Sequence, residues 1–116
     1  MRLRIARRTA DAISVLDVEG QLDLSNCHVL HEAVDKEVSA GQFRIILNLK
    51  LLSFIDSSCL GSILGSLGEV RKRGGDLAIV GNPLVERIIT LTGLHHILSI
   101  YATIDGAIES LSEGER

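Results

Sequence analysis

From residue 12 to residue 111, strand-like apolar runs alternate with segments whose apolar residues recur every three or four positions. This alternation is typical of βαβ units, whose right-handed crossovers build a mainly parallel sheet. The basic start of the chain, residues 2–8, adds a solvated edge strand that we expect to be antiparallel. We therefore predict an α/β fold with a mixed, mainly parallel sheet of about five strands, flanked by about four helices.

Four runs after the chain start predict strands. Residues 12–19 are rich in β-branched residues, and Gly20–Asp23 is expected to turn the chain. Residues 43–49 are the most apolar run, which is typical of a strand covered on both faces. Residues 76–80 and 98–101 predict the last two strands.

Helix boundaries are predicted from capping residues and from helical periodicity. Ser25 or Asn26 caps the first helix, Ser57 or Ser58 begins the second, Asn82-Pro83 starts the third, and Thr103 opens the fourth. The helices are predicted to end near residues 39, 73, 92 and 111. We expect one domain over residues 1–116, with a frayed tail at 112–116.

Composition excludes several classes of function. The net charge is −3 and only 3% of residues are aromatic, so the chain lacks the basic, stacking surface of a nucleic-acid binder. No segment approaches the roughly 18 apolar residues of a membrane span. The two cysteines form no motif, which indicates reduced thiols and a cytoplasmic location.

Enzymatic and metal sites are weakly indicated. Cys27, His28 and His31 are close in sequence, but zinc needs three or four ligands and no second cluster exists. The chain lacks Walker A, G-x-S-x-G and G-x-G-x-x-G motifs. An enzyme would have to use Asp23, Asp56, Ser57 and His95, which no pattern places in a triad. We expect no catalytic site, cofactor or metal.

Three glycines in the second predicted helix need a physical reason. Gly61, Gly65 and Gly68 lie on one side of the helix, where each costs about 1 kcal/mol relative to alanine. Close packing against the sheet or another helix is the favoured interpretation. The alternative is a smooth surface for a partner protein.

The start of the same helix carries the most informative residues. The strand-like run ending at Ile55 is followed by Asp56-Ser57-Ser58. A hydroxyl at a helix N-terminus can cap backbone N–H groups, and the same place accommodates a phosphate. Ser57 and Ser58 are therefore either structural caps or a regulatory switch. Asp56 is either a second capping carboxylate or part of an acidic rim.

These residues lie in a longer pattern that resembles the STAS domain family, in particular the bacterial anti-sigma factor antagonists. Leu47-Asn48-Leu49 and Phe54–Gly65 resemble the family's central motif, and Gly20–Asp23 matches its upstream Gly-x-Leu-Asp turn. Arg73–Leu77 and Leu91–Leu94 match later landmarks. The resemblance covers nearly the whole chain, and it is specific because the motifs occur together.

The resemblance implies a protein that works by partner switching, without enzymatic activity or a cofactor of its own. In the family, the unphosphorylated protein binds an anti-sigma factor, usually a histidine-kinase-like ATPase that is a serine kinase, and so frees the sigma factor. Phosphorylation of the first serine after the Asp abolishes binding, and a serine phosphatase reverses it. By position, the phosphoacceptor is Ser57. The implied partner-binding residues are Asp23, Asp56, Ser57, Ser58, Cys59 and Gly61.

One position departs from the family pattern, and several outputs remain open. Cys59 stands where the family usually has glycine, as either an inert thiol or a redox-sensitive one next to the acceptor. The alternatives to sigma-factor control are a STAS subunit that regulates a phosphatase, secretion, signalling or lipid-transport assembly, and a small-molecule or nucleotide-binding module. A weak homodimer also stays open, since Leu91, Leu94, Ile97 and Leu98 are either core or a partner patch.

Overall fold

A computed structural model describes residues 2–113 of the chain. Its five strands form one sheet in the order β1-β2-β3-β4-β5, with β1 antiparallel to β2 and the other neighbours parallel. The predicted mixed, mainly parallel sheet with an antiparallel edge strand is thereby confirmed. The strands are β1 (Leu3–Ala10), β2 (Ile13–Leu22), β3 (Arg44–Ile55), β4 (Asp76–Val80) and β5 (Ser99–Tyr101).

Within residues 2–113, four α-helices flank the sheet, three on one face and one on the other. The parallel strands follow one another in chain order, so right-handed crossovers place the connecting helices on the same face. The last helix follows β5 and packs on the opposite face. The helices are α1 (Cys27–Ser39), α2 (Leu60–Lys72), α3 (Pro83–Leu91) and α4 (Ile104–Glu113), with 3-10 turns at Ser57–Cys59 and Leu94–His96.

The hydrophobic core has two parts, one on each face of the sheet. Alternate side chains of the strands point to opposite faces, so neighbouring residues such as Ile45 and Ile46 join different parts. On the larger side the strands pack against α1, α2 and α3, including the predicted apolar face of α2 with Ile63 and Leu67. On the smaller side they pack against Ala107 and Leu111 of α4. Residues 45–47 of β3 are buried on both faces, as predicted.

Two strands are longer than the sequence predicted. β2 does not turn at Gly20 but continues to Leu22, with Gly20 inside the strand at φ +111°. A Cβ on Gly20 would lie 2.0 Å from the Arg2 carbonyl oxygen, so glycine permits the close approach of the chain start. β3 runs past the predicted residue 49 to Ile55, because β2 pairs with it over this stretch.

Helix ends agree with the prediction in part. The Asn82 side chain accepts a hydrogen bond from the Val85 N–H at 2.8 Å, which confirms it as the cap of α3. Asn26 occupies the N-cap position of α1, but its side chain makes no cap hydrogen bond. Residues 112 and 113 complete α4 rather than belonging to a tail, and residues 114–116 of the predicted frayed tail lie outside the described residues.

Candidate functional site

The carboxyl ends of β2 and β3 lie side by side and place the predicted site residues at one edge of the sheet. Leu22 and Ile55 are paired in the parallel register. Beyond that pair, the Asp56 N–H donates to the Leu22 carbonyl oxygen at 2.9 Å. A backbone hydrogen bond therefore joins the end of β2 to the turn before α2. This edge is where ligands of open α/β sheets commonly bind.

Asp56 caps the turn that precedes α2. Its carboxylate accepts a hydrogen bond from the Ser58 N–H at 3.0 Å, and its carbonyl accepts one from the Cys59 N–H at 2.9 Å. Of the two interpretations of Ser57 and Ser58, the structural cap is not observed, because the Asp56 carboxylate accepts the hydrogen bond from the Ser58 N–H. Of the two interpretations of Asp56, the capping carboxylate is the one confirmed.

Because Asp56 makes the cap, the Ser57 hydroxyl takes no part in it. Ser57 and Ser58 are both exposed. The Ser57 hydroxyl has no hydrogen-bond partner within residues 2–113. The backbone of Ser57 is anchored by a hydrogen bond from the Leu60 N–H to its carbonyl oxygen. Its side chain thus stands in solvent on a fixed turn.

The neighbouring turn between β2 and α1 carries a second ordered carboxylate. Asp23 accepts hydrogen bonds from the Ser25 hydroxyl and, at 2.8 Å, from the Ser25 N–H. These bonds, led by the one from the hydroxyl, lower the pKa of Asp23, so it is ionised at neutral pH. Asn26 closes the turn by accepting from the Asp23 N–H and donating to the Gln21 carbonyl. The edge around Ser57 is therefore acidic.

Cys59 is the buried residue of the Ser57–Cys59 turn. Its side chain is 1% exposed and belongs to the larger part of the core, where the half-buried Cys27 packs against it. Desolvation, followed by a hydrogen bond with the Cys27 thiol, raises the pKa of Cys59 to about 12. The sequence analysis found no relation between the two cysteines. The missed signal is their spacing: Cys27 lies five residues after Leu22, and Cys59 lies four after its partner Ile55.

The glycines of α2 form an exposed stripe. Gly61, Gly65 and Gly68 all face solvent, and a Cβ built on any of them would meet no atom within 4 Å. The favoured interpretation, close packing against another element, is wrong because α2 packs through its opposite side, with Leu60, Ile63, Leu67 and Val70. The smooth surface remains as the explanation, and it begins four residues after Ser57.

His95 and His31 do not join the site. His95 lies in the turn before β5, at the amino end of that strand, whereas Ser57 follows the carboxyl end of β3. Because β3, β4 and β5 are parallel, the amino end of β5 and the carboxyl end of β3 lie at opposite ends of the strands. His31 contacts Ser66 at 3.3 Å and Asp35 at 3.4 Å, within the α1–α2 surface. Among residues 2–113, no group of three or more His, Cys, Asp or Glu side chains could hold a metal ion.

Clefts and apolar surface also lie elsewhere. The clefts include one of about 520 Å³ between Phe43, Gly75 and Ser110, at the opposite edge of the sheet from Ser57. Of the apolar residues near the end of α3, Leu98 is core, whereas Leu91 and Ile97 are 72% and 48% exposed. Within the described part of the chain, no helix combines the length and apolar character needed to cross a membrane.

Comparison with known proteins identifies the family. The STAS domain matches residues 4–107. The anti-sigma F factor antagonist of Paenibacillus polymyxa is 32% identical over 117 residues, covering 99% of this chain and 97% of the relative. This chain belongs to the STAS domain family, and its relatives include proteins named anti-sigma factor antagonists.

Solved structures share the fold. An anti-sigma factor antagonist from Mycobacterium paratuberculosis superposes with a TM-score of 0.87 at 23% identity, covering 96% of this chain and 95% of that one. SpoIIAA in its unphosphorylated form, also an anti-sigma factor antagonist, gives a TM-score of 0.78 at 22% identity over 95% and 97% of the two chains. Its phosphorylated form, described as a Bacillus cell fate determinant, gives 0.68.

Proposed function

We propose that this chain is an anti-sigma factor antagonist that acts by partner switching, with Ser57 as the phosphoacceptor. In the unphosphorylated state it binds an anti-sigma factor that is also a serine kinase of the histidine-kinase-like ATPase type. That binding releases the sigma factor. The kinase then phosphorylates Ser57 and binding is lost, until a serine phosphatase restores it. These steps take place in the cytoplasm, and the chain itself catalyses none of them.

The exposed Ser57 hydroxyl, without a hydrogen-bond partner in the described structure, carries this proposal. A capping serine would have to lose its cap before it could accept a phosphate. Here Asp56 makes the cap, so the Ser57 hydroxyl is available to a kinase without local unfolding. Supporting observations are the names of the relatives and the existence of a related fold in both an unphosphorylated and a phosphorylated form.

The partner surface we propose surrounds Ser57. It comprises the ordered carboxylate of Asp23, the Asp56–Cys59 turn and the start of the glycine stripe at Gly61. These parts lie at the same end of the sheet, because the Asp56 N–H donates a hydrogen bond to the carbonyl oxygen of Leu22 at the end of β2. The absence of side chains on the stripe lets a partner approach the α2 backbone closely.

Charge explains how one phosphate would switch binding off. A phosphoserine adds about −1.5 to −2 charge at pH 7. At Ser57 this charge lies at a helix N-terminus, whose dipole and free N–H groups tolerate an anion, so the domain stays folded. A partner that fits a neutral hydroxyl between two carboxylates would instead meet added repulsion and bulk. A penalty of about 3 kcal/mol weakens binding on the order of 10²-fold.

Affinity capture tests the proposal. Wild-type, Ser57→Ala and Ser57→Asp proteins serve as baits in lysate of the native host, and Ser58→Asp is the matched control for charge at the neighbouring exposed serine. We expect wild type and Ser57→Ala to recover a histidine-kinase-like ATPase and Ser57→Asp to recover none. We expect Ser58→Asp to retain at least part of the binding.

Two controls make the outcome decisive. Thermal unfolding must show that Ser57→Asp is folded, since the account places the charge outside the core. Recovery of the same proteins by Ser57→Asp and wild type would contradict the switch at Ser57. Recovery of a phosphatase, secretion or transport component in place of an anti-sigma factor would assign the chain to another branch of STAS regulation.

A further inference from the structure

Exposed apolar side chains are concentrated at the end of the sheet that carries Ser57. Within residues 2–113, seven large apolar residues are exposed, and two of them, Leu91 and Ile97, lie at the amino ends of the parallel strands, to which α3 runs back. The other five lie near the carboxyl ends of these strands: Leu24, Val29, Leu51, Phe54 and Leu84. Single exposed apolar residues are normal on a protein surface, whereas a concentration at one end marks an interaction surface.

Leu24 and Phe54 lie at the two strand ends next to the Ser57 turn. Leu24 is two residues beyond the end of β2, whose last residue, Leu22, accepts a backbone hydrogen bond at 2.9 Å from the residue before Ser57. Phe54 is three residues before Ser57 on β3, in register with Gln21 of β2. The two side chains are 72% and 44% exposed, and neither belongs to a part of the core. Strand pairing therefore brings two exposed apolar residues to the segments on either side of the phosphoacceptor.

The turn that presents Leu24 is held by hydrogen bonds on both sides of it. The Ser25 N–H donates to the Asp23 carboxylate at 2.8 Å, and the Cys27 N–H donates to the Asp23 carbonyl oxygen at 2.9 Å. The Asp23 N–H donates to the Asn26 side chain, also at 2.9 Å. The backbone of Leu24 is thus fixed before any partner arrives, which lowers the entropic cost of burying its side chain in an interface.

We propose that Leu24 and Phe54 are apolar anchor residues of the partner interface, and that the anti-sigma factor presents an uncharged, apolar depression next to the place where it receives Ser57. This inference rests on the function proposed above, and it names the chemistry of the partner's side of that site. Burial of Leu24 and Phe54 supplies affinity, and the state of Ser57 decides whether the contact closes. A phosphate on Ser57 would have to lose water for two apolar surfaces to meet beside it, which is costly for an anion.

The position of these two residues favours the partner over a second copy of the chain. A copy seated on Leu24 and Phe54 would cover the Ser57 turn, which a kinase must reach. A two-fold dimer at this end would also bring Asp23 and Asp56 of both copies into one interface, where like charges repel. A partner with an apolar depression can instead bury Leu24 and Phe54 and leave the carboxylates at the solvated rim of the interface.

Calorimetry with the anti-sigma factor captured by wild type compares Leu24→Ala with Leu91→Ala, its matched control. Both leucines are 72% exposed, but Leu91 lies at the opposite end of the strands. We expect Leu24→Ala to weaken binding at least tenfold and Leu91→Ala to change it less than twofold, with the Tm of both variants unchanged. Phe54→Ala should also weaken binding, and Phe54→Leu, which stays apolar, should retain more of it.

Two further readouts identify the contact as apolar. The loss of affinity for Leu24→Ala should persist at high salt, because salt screens charges and not apolar burial. The heat-capacity change of binding should be negative for wild type and less negative for Leu24→Ala, because burial of apolar surface is what makes it negative.

Three outcomes would overturn the proposal. They are equal affinities of wild type and Leu24→Ala, a loss that disappears at high salt, and a wild-type dimer in sedimentation that Leu24→Ala dissociates, which would assign these residues to a second copy. Retained binding by Ser57→Asp together with lost binding by Leu24→Ala would instead contradict partner switching alone, so the two failures are distinguishable.

Discussion

Because the glycine stripe of α2 is exposed, we expect Gly→Ala substitutions in this helix to stabilise the protein and to weaken binding of the proposed partner. Gly65 and Gly68 lie in the interior of α2, both exposed, and a Cβ at either position meets nothing within 4 Å. Alanine therefore introduces no clash and restricts the unfolded chain more than glycine does. If close packing were the reason for these glycines, the same substitutions would destabilise the fold.

The expected magnitude follows from helix propensity. Each Gly→Ala substitution in an exposed helix interior contributes about 0.5–1 kcal/mol, so the double variant gains about 1–2 kcal/mol. For a chain of 116 residues this raises the Tm by roughly 4–8 °C. Two methyl groups would at the same time stand on the smooth surface that we assign to the partner, and capture of the partner should fall.

A matched control isolates the backbone argument. A Cβ on Gly74 also meets nothing within 4 Å, but Gly74 has φ +82°, where alanine is strained by roughly 1–2 kcal/mol. Chemical and thermal denaturation of Gly65→Ala/Gly68→Ala and Gly74→Ala should therefore give shifts of opposite sign. A double variant less stable than wild type would refute the assignment of the stripe to a free surface. A more stable variant with full partner capture would remove the stripe from the interface.

Two further perturbations test the site and the core. Asp56→Ala should cost about 1 kcal/mol of unfolding free energy through loss of the cap, whereas Ser57→Ala should change it by less than about 0.5 kcal/mol; equal losses in urea denaturation would contradict the assignment of the cap to Asp56. The carboxylate of the buried Glu37 accepts hydrogen bonds from Arg7 at 2.9 and 3.0 Å and from Ser14 at 2.6 Å, and although burial alone would raise the pKa of Glu37, these bonds lower it. A lowered pKa in the folded state gives stability that is present above the unfolded value near 4.5 and is lost as pH falls through the folded value. The stability difference between wild type and Glu37→Gln should accordingly be larger at pH 7 than at pH 3, and a pH-independent difference would show that the carboxylate's charge contributes nothing.

The periodic parts of the fold were predictable from sequence because periodicity reports burial. The apolar face of α2 and the doubly covered stretch of β3 follow directly from which residues are apolar. Strand ends were less predictable. Gly20 is a turn signal by type, yet it lies inside β2, where a neighbouring backbone approaches too closely for any side chain. Only the tertiary arrangement contains that information.

The site was predictable in its location but not in the role of each residue. The strand-to-helix junction at residues 56–58 is visible in sequence, whereas the choice between aspartate and serine as cap depends on the turn geometry. Whether the glycine side of α2 is packed or exposed depended on which elements lie next to the helix. The packing of Cys27 against the part of the core that holds Cys59 depended on strand register, which no local pattern specifies.

The most direct test of partner switching is the affinity of the captured partner for unphosphorylated and Ser57-phosphorylated protein, measured by calorimetry on folded samples of each. The account predicts binding of the unphosphorylated form and an affinity at least about 100-fold lower for the phosphorylated form, which corresponds to about 3 kcal/mol. Equal affinities for the two forms would contradict it and would leave Ser57 as an exposed serine without a regulatory role.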